Sequence, residues 1–571
     1  MKESIIQLIM LTLSAISCYG YFRRVEKLFS LRAEFAVFIS LTALGLLMLL
    51  AGVLNILVPA AYAVFILGLV LAVYSIVRRE TLKAFLKPGV VFLLLCCGFF
   101  FVLLYGSKLT HIDNYSHWGA ILKMIIQRDA LPANDTLVYF PAYPTGSSLL
   151  IYYFVRIVGI QAEWFWSYIQ AVYLASCAAT LFCFTELDGK TDGWIARILA
   201  GVVGISLLCA NIDLADLLVD TLVPMIALSG IAMCVYYRDK LASKAIPLIV
   251  TVCFLPMVKN SGYLFSAVII IFFLCISRER ARFGLSAAMG LCLLGMNRIW
   301  AWHVKTSFAD GMASYHAMSA ESFQSSFAEK TAEDLLSITK AFLSAVVSRG
   351  RLLYLLLCIA AVVFIIYKSG KWRQLRGLVL AGAGVWLAWV LGILLMYFFS
   401  MSLGEALGLA AFDRYYASAL IFCGGYFFIL CMTALNGVTS TSLRFAAFLC
   451  CLLCILTANP NYTYLGRQSR RPDFKALEMR NCVDALIDEN NIPSGFGYLV
   501  FSGDYDDITL RVMVTYLLQP TTTRVCSDDE LSQLGEQWRA YDYYIVADET
   551  AANMAFVRSV MGKDAPAGYT W

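Results

Sequence analysis

The sequence predicts a mainly α, polytopic membrane protein of about fourteen transmembrane helices, followed by a small C-terminal α/β domain. Three observations lead there. The chain of 571 residues is 60% hydrophobic and 15% charged, whereas soluble domains run near 25% charged. Its apolar residues gather into runs long enough to cross a hydrocarbon core, which takes about 20 residues of helix. After position 459 that pattern stops, and mixed, charged sequence with alternating helix and strand periods takes over.

The apolar run at 5–20 has too little charge before it and no small-residue cleavage end, so it reads as a first span rather than a signal peptide. Further spans are expected near 35–56, 60–77 and 89–106. Arg23, Arg24, Lys27 and Arg32 stand before the second, and Arg78, Arg79, Lys83 and Lys87 before the fourth. Basic residues collect in cytoplasmic loops, so the fourth span runs outward and the loop 107–163 is extracytoplasmic. Spans near 164–184, 194–210, 221–237, 245–258, 262–277, 283–300, 352–367, 377–399, 414–435 and 444–459 follow. The run 145–160 reads as a helix lying on or dipping into the outer face. Were it to cross, the basic clusters around Arg238, Arg280 and Lys371 would all flip outward.

The domain 460–571 should then face outside as well. A helix near 472–489, a strand GYLVF, a helix near 506–518, a strand TTRVC, a helix near 528–537 and a strand DYYIVA form its α/β pattern. It has no glycine-rich phosphate loop. The net charge of +5 is accounted for by the basic loops, so no nucleic-acid partner is implied. Most of the 18 cysteines lie inside apolar runs and read as small hydrophobes; Cys482 and Cys526 share the tail and either pair or stay as thiols. The one CxxC, Cys451–Leu452–Leu453–Cys454, sits inside an apolar run and HExxH does not occur, so no cofactor is expected and a divalent metal lacks support.

The polar island at 110–150 is the candidate active-site loop. Asp113, His117, Trp118, Asp135, Tyr139, Tyr143, Pro144 and Gly146 crowd into it between apolar spans, and such a segment must line a protein or water-filled cavity to keep its backbone and charges satisfied. Three more polar places fall on the same face. Asp213, Asp216 and Asp220 are spaced to share one side of a helical turn, either as a hydrated helix end or as a site. Lys259 in VKNSGY either snorkels or holds an anion. Asp413, Arg414, Tyr415 and Tyr416 stand at a span entrance, where an aromatic belt with a neutralised pair is the plainer reading. The stretch 301–351, with His303, Lys305, Asp310, His316 and Glu321, is long enough to cover or gate a site.

The order of these segments, THIDNYSHWGAIL, YFPAYPTGSSLLIYYF, NIDLADLLVD, KNSG and FDRY, resembles the GT-C superfamily of integral-membrane glycosyltransferases, among them bacterial enzymes similar to protein mannosyltransferases and lipid A aminoarabinose transferases. The resemblance covers roughly residues 90–435 of a catalytic domain 1–459, plus the tail. It implies a polyprenyl-phosphate sugar donor, an extracytoplasmic glycan, lipid or protein acceptor, and a location in the plasma membrane. It also implies Asp113 as the catalytic base. Asn114 stands where many relatives carry a second acidic residue, which speaks against a paired-carboxylate or metal-assisted mechanism. On chemical grounds His117 orients Asp113 or shares its proton, Lys259 and Arg414 hold the donor phosphate, and Trp118, Asp135, Tyr143, Asp213, Asp216 and Tyr415 contact substrate. A surface-polysaccharide polymerase or ligase and a lipid or solute transporter remain the alternatives.

Overall fold

The computed structural model describes residues 2–570 apart from 81, 135–137, 139, 188–189, 309–319, 349, 472–474, 504–505, 520 and 563–566. Long helices dominate because, in hydrocarbon, each backbone N–H and C=O must find its partner within the segment. The chain opens with α1 (Lys2–Leu28), α2 (Ala33–Val53), α3 (Leu57–Val77), the short α4 (Leu82–Phe85) and α5 (Pro88–Leu104). The polar island folds as α6 (Ile112–Ser116), α7 (Trp118–Arg128) and α8 (Gly146–Val158). Then come α9 (Glu163–Ala179), α10 (Lys190–Leu208), α11 (Leu222–Tyr236), α12 (Ala245–Val258), α13 (Gly262–Ile276) and α14 (Arg282–Ser307). The bundle is completed by α15 (Ala320–Ala328), α16 (Ala332–Ser348), α17 (Arg351–Lys368), α18 (Trp372–Phe399), α19 (Leu403–Leu407), α20 (Phe412–Leu435) and α21 (Thr441–Ala458).

Among the described residues, nine segments are long and apolar enough to cross a membrane: α1, α2, α3, α9 with its 3-10 extension, Leu241–Val258, α17, α18, α20 and α21. The chain is therefore a multi-pass membrane protein. The other expected spans coincide with α5, α10, α11 and α13, which are apolar but shorter, and with α14, whose second half carries Asn297, Arg298, His303 and Lys305.

Three segments differ from the sequence reading. The run at 145–160 is a helix of 13 residues, about 20 Å long and too short to cross, yet it does not lie on the surface. Its Leu149–Tyr153 stretch is buried against α2, α7 and α9. Gly146 permits this, since a Cβ there would stand 2.7 Å from the Met257 carbonyl of α12. The stretch 301–351 is largely helical, with α14 running to Ser307 and α15 and α16 beyond it; Asp310 and His316 lie outside the described residues. The aspartates at 213, 216 and 220 do not share a helical face, because α10 ends at Leu208 and a series of turns leads to α11.

The tail contains the expected elements and two more. Helix α22 (Lys475–Asn490) leads into β1 (Gly497–Phe501), α23 (Asp507–Leu518), β2 (Thr522–Cys526), α24 (Leu531–Leu534), β3 (Tyr543–Val546), α25 (Ala551–Phe556) and β4 (Ala567–Thr570). The four strands are parallel in the order β2-β1-β3-β4, with Val500 opposite both Val525 and Ile545. Alternation along β1 divides the two faces. Tyr498 and Val500 join Met479, Val483, Leu510 and Met513 in a core continuous with the helical bundle, while Leu499 and Phe501 pack on Trp538 and Phe556. Cys482 and Cys526 are not joined in a disulfide.

This tail is bonded to the polar island. Glu163 at the start of α9 accepts from the Leu109 N–H at 2.9 Å, from Arg480 of α22 at 3.0 Å and from the Tyr516 hydroxyl of α23 at 2.7 Å. The Gln468 amide pairs with both backbone groups of Lys108 at 2.9 and 2.8 Å. Arg480 also donates to the Leu109 carbonyl at 3.1 Å. Removing one member of a buried ion pair costs about 3–5 kcal/mol because the other charge is left without its partner. Arg480→Ala should therefore loosen α6 and α23 together, read as faster amide hydrogen exchange in both; unchanged exchange in α6 would refute the coupling.

Candidate functional site

Four charged side chains from four separate elements meet at one end of the bundle. Arg414, in the first turn of α20, donates to the Asp113 carboxylate and lies 3.4 Å from that of Asp220. Lys259 donates to Asp220 at 2.7 Å. Tyr415 lies under both cations, its ring centre 4.9 Å from the lysine nitrogen and 5.5 Å from the guanidinium carbon, a geometry in which the ring quadrupole attracts positive charge.

Local sequence explains how each group is presented. Pro256 has no N–H to give the Val252 carbonyl, and the Ser266 hydroxyl takes that acceptor at 2.8 Å. Helix α12 then stops at Val258, with Lys259 extended. Gly262 lets the following turn close on α12, since a Cβ there would meet the Leu255 carbonyl at 2.2 Å. On the other side, the His111 imidazole caps α6 by accepting from the Asp113 N–H at 3.1 Å, which sets the angle of the Asp113 side chain. Ala411, just before α20, holds a left-handed φ of +56°, a conformation unfavourable for a residue with a Cβ.

A second carboxylate holds the loop itself. Asp216 is buried, and one of its oxygens accepts from the Thr110 N–H at 3.1 Å, the His111 N–H at 3.3 Å and the Asn114 amide at 2.7 Å. Asn114 returns the contact by accepting from the Leu217 N–H at 3.1 Å. The residue that departs from an acidic pair is thus the brace between two loops, and it works because an amide both donates and accepts.

Burial and these contacts set the protonation states. Burial alone raises the Asp113 carboxyl, but the charges around it, Arg414 foremost, together outweigh it and leave Asp113 below the ordinary carboxylate range. Burial likewise works against Asp220, and Lys259 and Arg414 overcome it. His117 is neutral, since burial lowers it to about 3; its Nδ1 lies 2.8 Å from the Ser116 hydroxyl and its ring packs on Trp118, Phe140 and Tyr143. Asp216 moves the other way, raised to about 7 by burial first and by the nearby charge of Asp213 second. With one oxygen accepting all three N–H groups, the other is free to carry a proton.

Beside the charged cluster lies a cavity of about 510 Å³. Tyr143, Asp220, Lys259, Tyr415 and Ser418 form its polar end, and Leu264, Trp389, Ile393, Met396 and Phe399 extend it as an apolar wall between α13 and α18, with Phe323 of α15 at its edge. Leu395, also in the lining, is 44% exposed on the outside of the bundle. Among the described lining residues Lys259 is the cation. Asp113 and Arg414 stand one side chain back, joined to the cavity through Asp220.

The cluster thus gathers Asp113, Asp220, Lys259, Arg414, Tyr143 and Tyr415, all named as candidates in the sequence, with Asp220 at its centre, and adds His111 as the cap. Trp118 is buried in the core beside His117 and offers no open face. Asp213 pairs with Arg471 and Asp216 with the loop backbone, so both are braces rather than cavity walls. Asp135 and Tyr139 lie outside the described residues. No sequence signal marks His111, because an imidazole is an uncommon helix cap.

Comparison of the chain with protein-family models, with curated proteins and with solved structures gives no match in any of the three. What fold and site define is a class: a multi-pass membrane protein whose half-buried charge cluster opens on an amphiphilic cavity.

Asp216 generates a pH prediction. Its folded pKa lies above the unfolded value of 3.8, so its stabilising contribution is complete below 3.8 and is lost as pH rises through about 7. Asp216→Asn keeps a neutral acceptor at every pH. The melting temperature of wild type relative to this variant should fall between those two values, and a constant difference would show that Asp216 does not titrate there.

Proposed function

We propose that the protein is a membrane glycosyltransferase that moves a sugar from a polyprenyl-phosphate carrier to an extracytoplasmic acceptor, a glycan, lipid or protein. The observation that carries this reading is the cavity, whose polar end presents the Lys259 ammonium and whose long apolar wall accommodates a hydrocarbon chain, a combination suited to an amphiphile with an anionic head. The order of motifs resembling the GT-C superfamily points the same way.

In this reading the fourteen helices cross the plasma membrane with the site and the tail outside. The isoprenoid chain lies along α13 and α18, and the phosphate meets Lys259, whose ammonium has donors beyond the one given to Asp220. Arg414 acts differently from Lys259: it holds Asp113 and Asp220 and keeps Asp113 ionised. Asp113 takes the proton from the acceptor hydroxyl as that oxygen attacks the anomeric carbon. The bond from that carbon to the carrier phosphate breaks, and the phosphate leaves with the electron pair toward Lys259. The Tyr143 and Tyr415 rings flank the sugar.

Loss of a general base typically costs about 10²–10⁴-fold in rate. Asp113→Asn should fold and bind donor while losing transfer on that scale, measured with purified protein and a polyprenyl-phosphate sugar. Retention of more than about a tenth of the rate would place the base elsewhere. Lys259→Ala should weaken donor use by about 1.5–3 kcal/mol, the worth of a charge-assisted contact.

The pH profile tests Arg414 separately. With Asp113 held below its ordinary value of 3.8, wild-type transfer should have no acid limb from this group above that pH. Arg414→Gln removes the lowering charge and leaves burial, so the acid limb should move up. An unmoved limb would assign the base to another residue.

One observation favours a transporter instead: Asp113, Asp220, Lys259 and Arg414 already sum to zero charge, as in ion-pair networks that open and close. Facilitated movement of a lipid-linked sugar across proteoliposomes, without transfer to any acceptor, would establish that alternative.

A further inference from the structure

Inside the bundle, apart from the charged cluster, three thiols converge. Cys358 of α17 and Cys450 and Cys454 of α21 are buried, and their sulfurs all lie within 4.8 Å of one another. The Cys358 and Cys454 sulfurs are 3.4 Å apart. Cys450 and Cys454 stand one turn apart on the same side of α21, the side along which α17 packs. Cys358 is seven residues and Cys454 four residues from the helix ends nearest the charged cluster, which at 1.5 Å per residue puts them roughly 6–11 Å inside the bundle.

We infer that Cys358, Cys450 and Cys454 form a binding site for one soft monovalent cation, Cu⁺, which joins α17 to α21. A three-coordinate ion with metal–sulfur bonds of about 2.3 Å sets its sulfurs roughly 4 Å apart. The observed separations, from 3.4 Å to at most 4.8 Å, bracket that value, so small side-chain shifts complete the site. Sulfur donors alone select soft ions over magnesium, calcium or manganese. Zn²⁺ takes four ligands in a closed site, and the next sulfur, that of Cys431, reaches Cys450 at 3.5 Å but is not part of the mutual group.

Charge points to the same ion. An apolar interior penalises any net charge. Cu⁺ entering the site displaces one thiol proton to solvent and forms one copper–thiolate bond, while the other two thiols donate lone pairs. Copper stays in the +1 state, no cysteine is oxidised, and the site remains neutral. Zn²⁺ would have to displace two protons to reach the same balance.

The test uses the full-length chain purified under anaerobic, reducing conditions and titrated with Cu⁺ supplied as its acetonitrile complex against a competing chelator. Loss of a mere outer-shell partner typically costs about 10–100-fold in metal affinity, so Cys358→Ser/Cys454→Ser should weaken binding by more than about 100-fold. Cys234→Ser, a buried cysteine elsewhere on α11, should leave it unchanged. Wild type should bind one Cu⁺ per chain, melt at a higher temperature when loaded, and show a first shell of sulfur alone by X-ray absorption. That last readout needs no variant and stands even if the double substitution does not fold. Absence of stoichiometric copper in wild type, nitrogen or oxygen in its first shell, undiminished binding in the folded double variant, or tighter binding of Zn²⁺ than of Cu⁺ would each overturn the assignment and leave the cysteines as small packing residues.

Discussion

The buried carboxylate of Asp220 is the constraint around which this end of the molecule is arranged. An isolated charge in such a place is prohibitively costly, so the fold must bring cations to it. Lys259 from the end of α12 and Arg414 from the start of α20 do so, and Arg414 then draws in Asp113 from α6. One need for neutrality thus sets the relative positions of the polar island, the turn before α11, the end of α12 and the entrance of α20. The Asp220 carbonyl, accepting from Ser418 at 2.8 Å, ties the same turn to α20 a second time.

The polar island is held from two further directions. Asp216 and Asn114 exchange contacts between the loop and the turn before α11, and Glu163 with Arg480 and Tyr516 joins the loop to the tail. Each brace satisfies backbone N–H groups that would otherwise be buried unpaired, at Thr110, His111 and Leu109. Asp113 is therefore presented from a segment fixed on three sides, the condition under which a carboxylate can meet a substrate without first being ordered.

The cavity connects this rigid cluster to the surroundings of the bundle. Its apolar wall belongs to α13 and α18, and Phe323 brings the helical 301–351 region to its edge. A group bound there would touch Lys259 and Asp220 first and reach Asp113 only through them. Under the proposed function, that order would make the lysine end the place where an anionic head is recognised and Asp113 the place where chemistry follows.

Much of the architecture was legible in the sequence because it follows from local periodicity. Apolar runs must become helices in lipid, and the tail's alternation of helical and strand patterns accounts for α22, β1, α23, β2 and β3. Asp113, Lys259 and Arg414 stood out because each is a charge bordering an apolar run. The partners were hidden, since no local rule joins residues 301 positions apart, as Asp113 and Arg414 are, or 360 apart, as Lys108 and Gln468 are. The spacing of Asp213, Asp216 and Asp220 pointed to one shared helical face, but periodicity cannot reveal that Arg471, the island backbone and Lys259 each claim one of them and unwind the segment into turns. The cysteines are the same case in reverse: inside α17 and α21 each reads as a small hydrophobe, and only helix packing brings three sulfurs to one point. By itself, the sequence determined which segments are helices and which charges had to find partners; the tertiary structure decided which partners they found, because neutralising a buried charge depends on distance in space and not along the chain.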